Sequence, residues 1–194
     1  MKKLLVLLAI LAVFQVAALA DPATLTIAQL ANFTQVGSSG PVTPTTTLTN
    51  VSPTGAEFST VWTADAMGAH SANVGDLGLS LDLTGNTGLA LNVLNDNENP
   101  WTFELFVVDG SANVAQSGQS VIAVGSSQSL VASLAGLDAG DITGVYVQVS
   151  GVLPISGNDR NAEYKIAPVP EPASMLLLGT GLLGLGVMTR KWRS

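Results

Sequence analysis

The stretch Val145-Tyr146-Val147-Gln148-Val149-Ser150 alternates an aliphatic side chain with a polar or aromatic one. On a helix, residues two apart diverge by about 200°, so the three valines would share no face; on a strand they share one. The same period runs through Leu77, Leu79, Leu81 and Leu83, through Leu89, Leu91 and Val93, and through Trp101, Phe103, Leu105 and Val107. Each of these rows predicts a half-buried strand. The turn-prone segments between them fit: Thr84-Gly85-Asn86-Thr87-Gly88 reads as a hairpin loop between the first two rows, and Asn95 to Pro100, Asp109-Gly110 and Asp138-Ala139-Gly140-Asp141 punctuate the rest.

Shorter strands are expected near residues 25–27, 58–62, 120–124, 130–134 and 162–166. No long helical period interrupts residues 21–168, a span large enough for one core. The expected class is all-β, an antiparallel β-sandwich of jelly-roll type. Ser38 to Thr54 stands apart: nine of its 17 residues are Ser or Thr, three are Pro and none is charged. Nothing apolar recurs there with strand period, so a loop ranks ahead of an edge meander or a site of O-linked sugar.

Charge narrows the function. Five of the seven basic residues lie at the two ends of the 194-residue chain. Between Ala20 and Pro170 thirteen acids face Arg160 and Lys165, a net −11. A field of that sign repels phosphate backbones, which argues against a nucleic-acid partner. With no cysteine, disulfides, thiol catalysis and thiolate metal sites are excluded.

Both ends are hydrophobic. Lys2-Lys3, an apolar run from Leu4 to Phe14, and Ala18-Leu19-Ala20 make up the basic, apolar and small-residue parts of a secretory signal peptide, residues 1–20, cleaved after Ala20. Ala18 and Ala20 are the signal peptidase site. At the other end, 17 uncharged residues from Ala173 to Thr189 would span roughly 26 Å as a helix, enough for a thin bilayer core. Arg190-Lys191-Trp192-Arg193 would hold their end in the cytoplasm, giving an exported precursor with a single pass through the inner membrane. Val169-Pro170-Glu171-Pro172 just upstream is an extended segment, and Gly179, Gly181, Gly184 and Gly186 leave the helix surface flat for another membrane helix.

This order of Pro-Glu-Pro, Leu/Gly-rich span and basic tail over residues 169–194 resembles the PEP-CTERM sorting signal. The resemblance implies a Gram-negative bacterium that makes exopolysaccharide. It further implies an exosortase-type partner that recognises Pro170, Glu171 and Pro172 and removes the helix, leaving the product in the periplasm, at the outer surface or in the extracellular matrix. Residues 21–168 are then the exported domain. Its expected role is non-catalytic: a structural or adhesive component of an exopolysaccharide matrix or biofilm, with a carbohydrate-binding module as the alternative.

The chemistry-bearing residues are few. Tyr146 and Gln148 point away from the valines of their row, and an aromatic beside an amide makes a candidate carbohydrate contact; a solvated sheet face accounts for the same pattern. Trp62, Trp101 and Tyr164 are further aromatics, Trp101 being in phase with the core residues of its row. Oxygen-bearing side chains crowd Asn95-Asp96-Asn97-Glu98-Asn99, of which Asp96, Asn97 and Glu98 could ligate calcium if a loop such as Gly75-Asp76 came near. Asn and Asp also dominate ordinary turns, and the run lacks the spacing of a calcium-binding helix-loop-helix, so the turn ranks first. Otherwise no cofactor is expected. The one histidine, His70, follows Gly68-Ala69 in what reads as a small-residue loop, with no G-x-S-x-G elbow to serve. One histidine is too few for the common zinc sites, and nothing selects two acids as a glycosidase pair. An enzyme is not expected.

Overall fold

Three of the four alternating rows are strands. A computed structural model describes residues 21–62, 69–151 and 161–169, all within a unit spanning Ala20–Val169. A four-residue helix, α1 (Ile27–Leu30), comes first, its entry fixed by reciprocal hydrogen bonds between Thr26 and Gln29. The strands follow as β1 (Thr34–Ser39), β2 (Pro44–Ser52), β3 (Gly55–Trp62), β4 (His70–Asp76), β5 (Gly88–Asn95), β6 (Trp101–Asp109), β7 (Val114–Gln116), β8 (Ser120–Ile122), β9 (Ser127–Ser133), β10 (Ile142–Gly151) and β11 (Asn161–Pro168). They form two antiparallel sheets. One has the order β1-β4-β10-β6-β7, with β8 also on β6; the other has the order β2-β3-β11-β5-β9.

Alternation turns one face of each sheet inward. Val74 of β4, Val145, Val147 and Val149 of β10, and Phe103, Leu105 and Val107 of β6 meet Phe58 of β3, Leu91 and Val93 of β5, and Tyr164 and Ile166 of β11, all buried. A run of rings crosses this core: Phe33 to Phe58 at 6.5 Å, Phe58 to Tyr164 at 5.8 Å, Tyr164 to Phe103 of the facing sheet at 5.4 Å. Such pairs add about 0.5–1.5 kcal/mol each beyond their burial. At one end of the sandwich Trp62 and Trp101, one from each sheet, stack at 5.1 Å and 7°.

Several expectations are corrected. Leu77 to Leu83 forms no ladder strand and meets β10 at a single bridge, Leu81 to Ile142. The Gly78 N–H bonds the Asp76 carboxylate at 2.7 Å and turns the chain out of β4. The N–H groups of Leu79, Leu81 and Leu83 then go to the carbonyls of Thr143, Ile142 and Ala139. Leu77 is exposed, whereas Leu79 and Leu81 pack on the core rim. A segment satisfied by the start of β10 and the turn before it carries the hydrophobic period of a strand without its ladder. Thr84 to Gly88 is therefore a lead-in to β5 rather than a hairpin loop.

Ser38 to Thr54 is the edge meander after all, supplying the end of β1 and all of β2. Both faces of β2 are largely wet, so backbone pairing with β3 holds it and no apolar period is needed. Near residues 25–27 there is a single bridge, Ala23 to Leu89, followed by the Thr26 cap of α1. His70 is no loop residue: it opens β4, buried edge-on against Trp62. Among the described residues no helix is long and apolar enough to cross a membrane; the expected signal peptide and the span at residues 173–189 lie outside them.

Candidate functional site

The outward residues of β4, β10 and β6 fall into register across the sheet. In one row Tyr146 of β10 lies between Gly75 of β4 and Phe106 of β6, with Gln116 of β7 beyond Phe106. In the next, Gln148 lies between Asn73 and Glu104, with Gly37 of β1 beyond Asn73. In the third, Ser150 lies between Ser71 and Thr102, with Ser39 beyond Ser71. Successive rows are two residues apart along the strands, about 7 Å. An aromatic row, an amide–carboxylate row and a hydroxyl row thus lie side by side.

Contacts within the rows set the geometry. The rings of Phe106 and Tyr146 stack at 4.7 Å and 9°, each half-buried. Gly75 permits the close strand approach beneath them: a Cβ there would run into the Val145 carbonyl and the Tyr146 backbone. The Gln148 amide donates to Asn73 Oδ1 at 3.0 Å, which fixes both amides in the plane of their row. Ser39 and Ser71 share a hydroxyl contact of 2.9 Å. Burial raises the Tyr146 phenol above its ordinary pKa, and the negative charge of Glu104 raises it further. At neutral pH that phenol is an O–H donor.

Glu104 is the unusual member. It is 7% exposed, and among the described residues its carboxylate has neither a hydrogen-bond partner nor an ion pair. Together the rows offer a stacked aromatic pair, amide groups able to donate and accept, hydroxyls and one strong acceptor. Those are the groups that meet the apolar face and the hydroxyl rim of a sugar ring.

Of the residues singled out from sequence, Tyr146 and Gln148 occupy adjacent rows of this face. Phe106, Glu104 and Asn73 were missed, although Phe106 and Glu104 have the outward parity in the row that begins at Trp101. Trp62, Trp101 and Tyr164 are buried in the core. The outer face of the other sheet differs: Lys165 of β11 contacts Glu57 of β3 at 3.7 Å there.

Asn95 to Asn99 is a turn built on its own amides. Asn95 is fully buried and donates to the carbonyls of Asn99 and Ile122 at 2.8 and 2.9 Å. The Asn97 amide donates to the Asn161 carbonyl and accepts the Glu98 N–H. Asp96 and Glu98 are exposed. Asp76 does not come near them, because it ends β4 at the opposite end of the sandwich from Trp101. Among the described residues no three His, Cys, Asp or Glu gather as a metal site. Ala18, Ala20, Pro170, Glu171 and Pro172 lie outside the described residues.

Comparison with known proteins adds the following. Residues 168–191 match the PEP-CTERM protein-sorting motif, which implies an exported protein of Gram-negative bacteria held at the membrane before processing. No curated protein matches the sequence. Among solved structures, one of carbohydrate-binding modules from the β-sandwich superfamily aligns with a TM-score of 0.49 and 9% identity, over 77% of this chain and 61% of that one. An exo-β-agarase aligns at 0.44 and 14%, over 73% and 24%. The family 11 carbohydrate-binding module of a Clostridium thermocellum cellulase aligns at 0.40 and 9%, over 70% and 84%. The chain thus spans less than two thirds of the first two, and the reading of its own face rests on its own residues.

Proposed function

We propose that residues 21–168 form an exported, non-catalytic carbohydrate-binding module, delivered through the C-terminal signal and retained in the exopolysaccharide matrix of its host. One observation carries the reading. Among the described residues only Phe106 and Tyr146 are aromatic and not buried, and the two stack on each other beside the Asn73–Gln148–Glu104 row. A protein with few aromatics that sets two of them on one polar sheet face has a platform for stacking a sugar.

The connectivity supports a jelly-roll reading. Without the edge strands β1 and β2, the orders β3-β11-β5-β9 and β4-β10-β6-β7 remain, and the chain changes sheets at every connection except those from β6 through β8. The delivery half has the signal peptide removed after Ala20, an exosortase-type enzyme acting at Pro170, Glu171 and Pro172, and the membrane span discarded. Mass spectrometry of the mature protein from its host checks it; recovery of Met1 or Ser194 in the product removes it.

The binding half is tested by affinity electrophoresis of the full chain in gels containing soluble polysaccharide. Retardation should fall about fivefold or more in apparent affinity for Tyr146→Ala or Phe106→Ala, the scale of one aromatic stacking contact, about 1–3 kcal/mol. Equal retardation of parent and variants would end the platform reading.

A further inference from the structure

We propose that Glu104 is the hydroxyl-accepting and charge-selecting residue of this face, so that it takes neutral glycans and rejects uronate- or sulfate-bearing ones. The inference rests on the platform reading and adds to it the chemical class of the sugar.

Carboxylates almost never sit this deep without a partner, because desolvation must be offset by hydrogen bonds or an opposite charge. Glu104 has neither among the described residues. Its neighbours in register are Gln148 and, along β6, Thr102 and Phe106. The Gln148 N–H that could have served it is turned the other way, to Asn73. Its oxygens nevertheless keep some solvent access, since they are not among the sealed, unpartnered polar atoms. An open acceptor beside a stacked ring pair is the position in which a ring-bound sugar brings vicinal hydroxyls, and each O–H···O⁻ bond is of the strong, charge-assisted kind.

The same carboxylate sets the selectivity. A uronate or sulfate seated on Tyr146 and Phe106 would place a second negative charge beside Glu104 with no cation to mediate. Among the described residues Lys165 is the one Lys or Arg, and it is on the other sheet, bound to Glu57 and to Thr54 at 2.6 Å. The wider field, −11 between Ala20 and Pro170, repels in the same direction. Like charges juxtaposed in a binding face suppress the wrong partner strongly.

The experiment uses the full-length chain and pairs of polymers that share a backbone: hydroxyethylcellulose against carboxymethylcellulose, and dextran against dextran sulfate, with an array of neutral and uronate-containing oligosaccharides. The neutral members should bind on the order of tenfold or more tighter than their anionic counterparts. Glu104→Gln should narrow that ratio while weakening neutral binding. Because the variant could disturb the sheet, the parent is also measured across salt. Screening should improve the anionic members and leave the neutral ones unchanged. Binding that favours the anionic members, or a ratio that neither Glu104→Gln nor salt alters, overturns the selectivity and leaves the platform standing. Binding to no glycan overturns both.

Discussion

Gln35 of β1 accepts the backbone N–H of Thr46 on β2 at 2.8 Å, and the same side-chain amide donates to the Pro44 carbonyl at 3.0 Å. The two strands are the edges of opposite sheets. One amide therefore does for the start of β2 what a further strand would do, and it ties the sandwich shut along that side. Exposed edges are templates for pairing with other chains, and an uncharged strand such as β2 lacks the lysines that usually guard them. Gln35→Ala should cost roughly 1–3 kcal/mol, the net value of two hydrogen bonds, and should increase self-association. Urea unfolding and light scattering read the two effects. A variant as stable and as monodisperse as its parent would show that the edge needs no cap.

Acid stability should depend on Asp109. This buried carboxylate accepts the Asn113 side-chain amide and the N–H groups of Ser111, Asn113 and Asp138, all at 2.9–3.0 Å. The Asn113 amide is the largest influence, followed by the Asp138 N–H, and together the bonds hold the carboxyl at about 2, below its ordinary 3.8, against the opposing effect of burial. The unfolded chain takes up the proton first as the pH falls. The stabilisation is thus full above 3.8 and is lost as the pH drops towards 2. Denaturant midpoints should fall across that window in the parent and fall less in Asn113→Ala, whose carboxyl titrates closer to normal. Parallel acid limbs in the two proteins would contradict this.

The chain has two tyrosines, and they should part company in alkali. Tyr164 is sealed in the core, where burial drives its phenol far above the usual range despite a 3.0 Å bond to the Thr60 hydroxyl; Tyr146 is raised less, on a half-open face. Phenolate absorbance should show one tyrosine ionising reversibly while the other waits for unfolding. Stability owed to Tyr164 is full below about pH 10 and is lost as the pH rises above it. Tyr164→Phe should abolish the delayed step; persistence of two steps would refute the assignment.

Calcium should leave the melting midpoint unchanged. The amides of Asn95 and Asn97 are already spent inside the turn, and Asp96 and Glu98 have no third carboxylate beside them among the described residues. A midpoint that climbs with excess calcium and falls with chelator would restore the loop as a cation site.

Much of the sandwich was legible from sequence. β5, β6 and β10 announce themselves because each buries one face, so period two survives in their side chains. β4 does not: His70-Ser71-Ala72-Asn73-Val74-Gly75-Asp76 offers only Ala72 and Val74 as aliphatic markers, and its buried histidine reads as polar. Leu77 to Leu83 misleads for the opposite reason, having the markers without a ladder partner. The outward parity of Tyr146 and Gln148 follows from their own strand. Their neighbours Phe106, Glu104 and Asn73 could not be assigned to them, because which residues face each other across strands is a matter of register, and register is set by pairings remote in the chain.

β11 is the last strand to be made, yet it lies in the middle of its sheet, paired with β3 on one side and β5 on the other. Until residues 161–168 have left the ribosome, the β2–β3 ribbon and the β5–β9 ribbon have no strand between them in their own sheet. A polypeptide that emerges N-terminus first is therefore kept unlocked until its tail arrives. Closure of that sheet is thus the final event of its assembly, and it waits on residues from the far end of the domain.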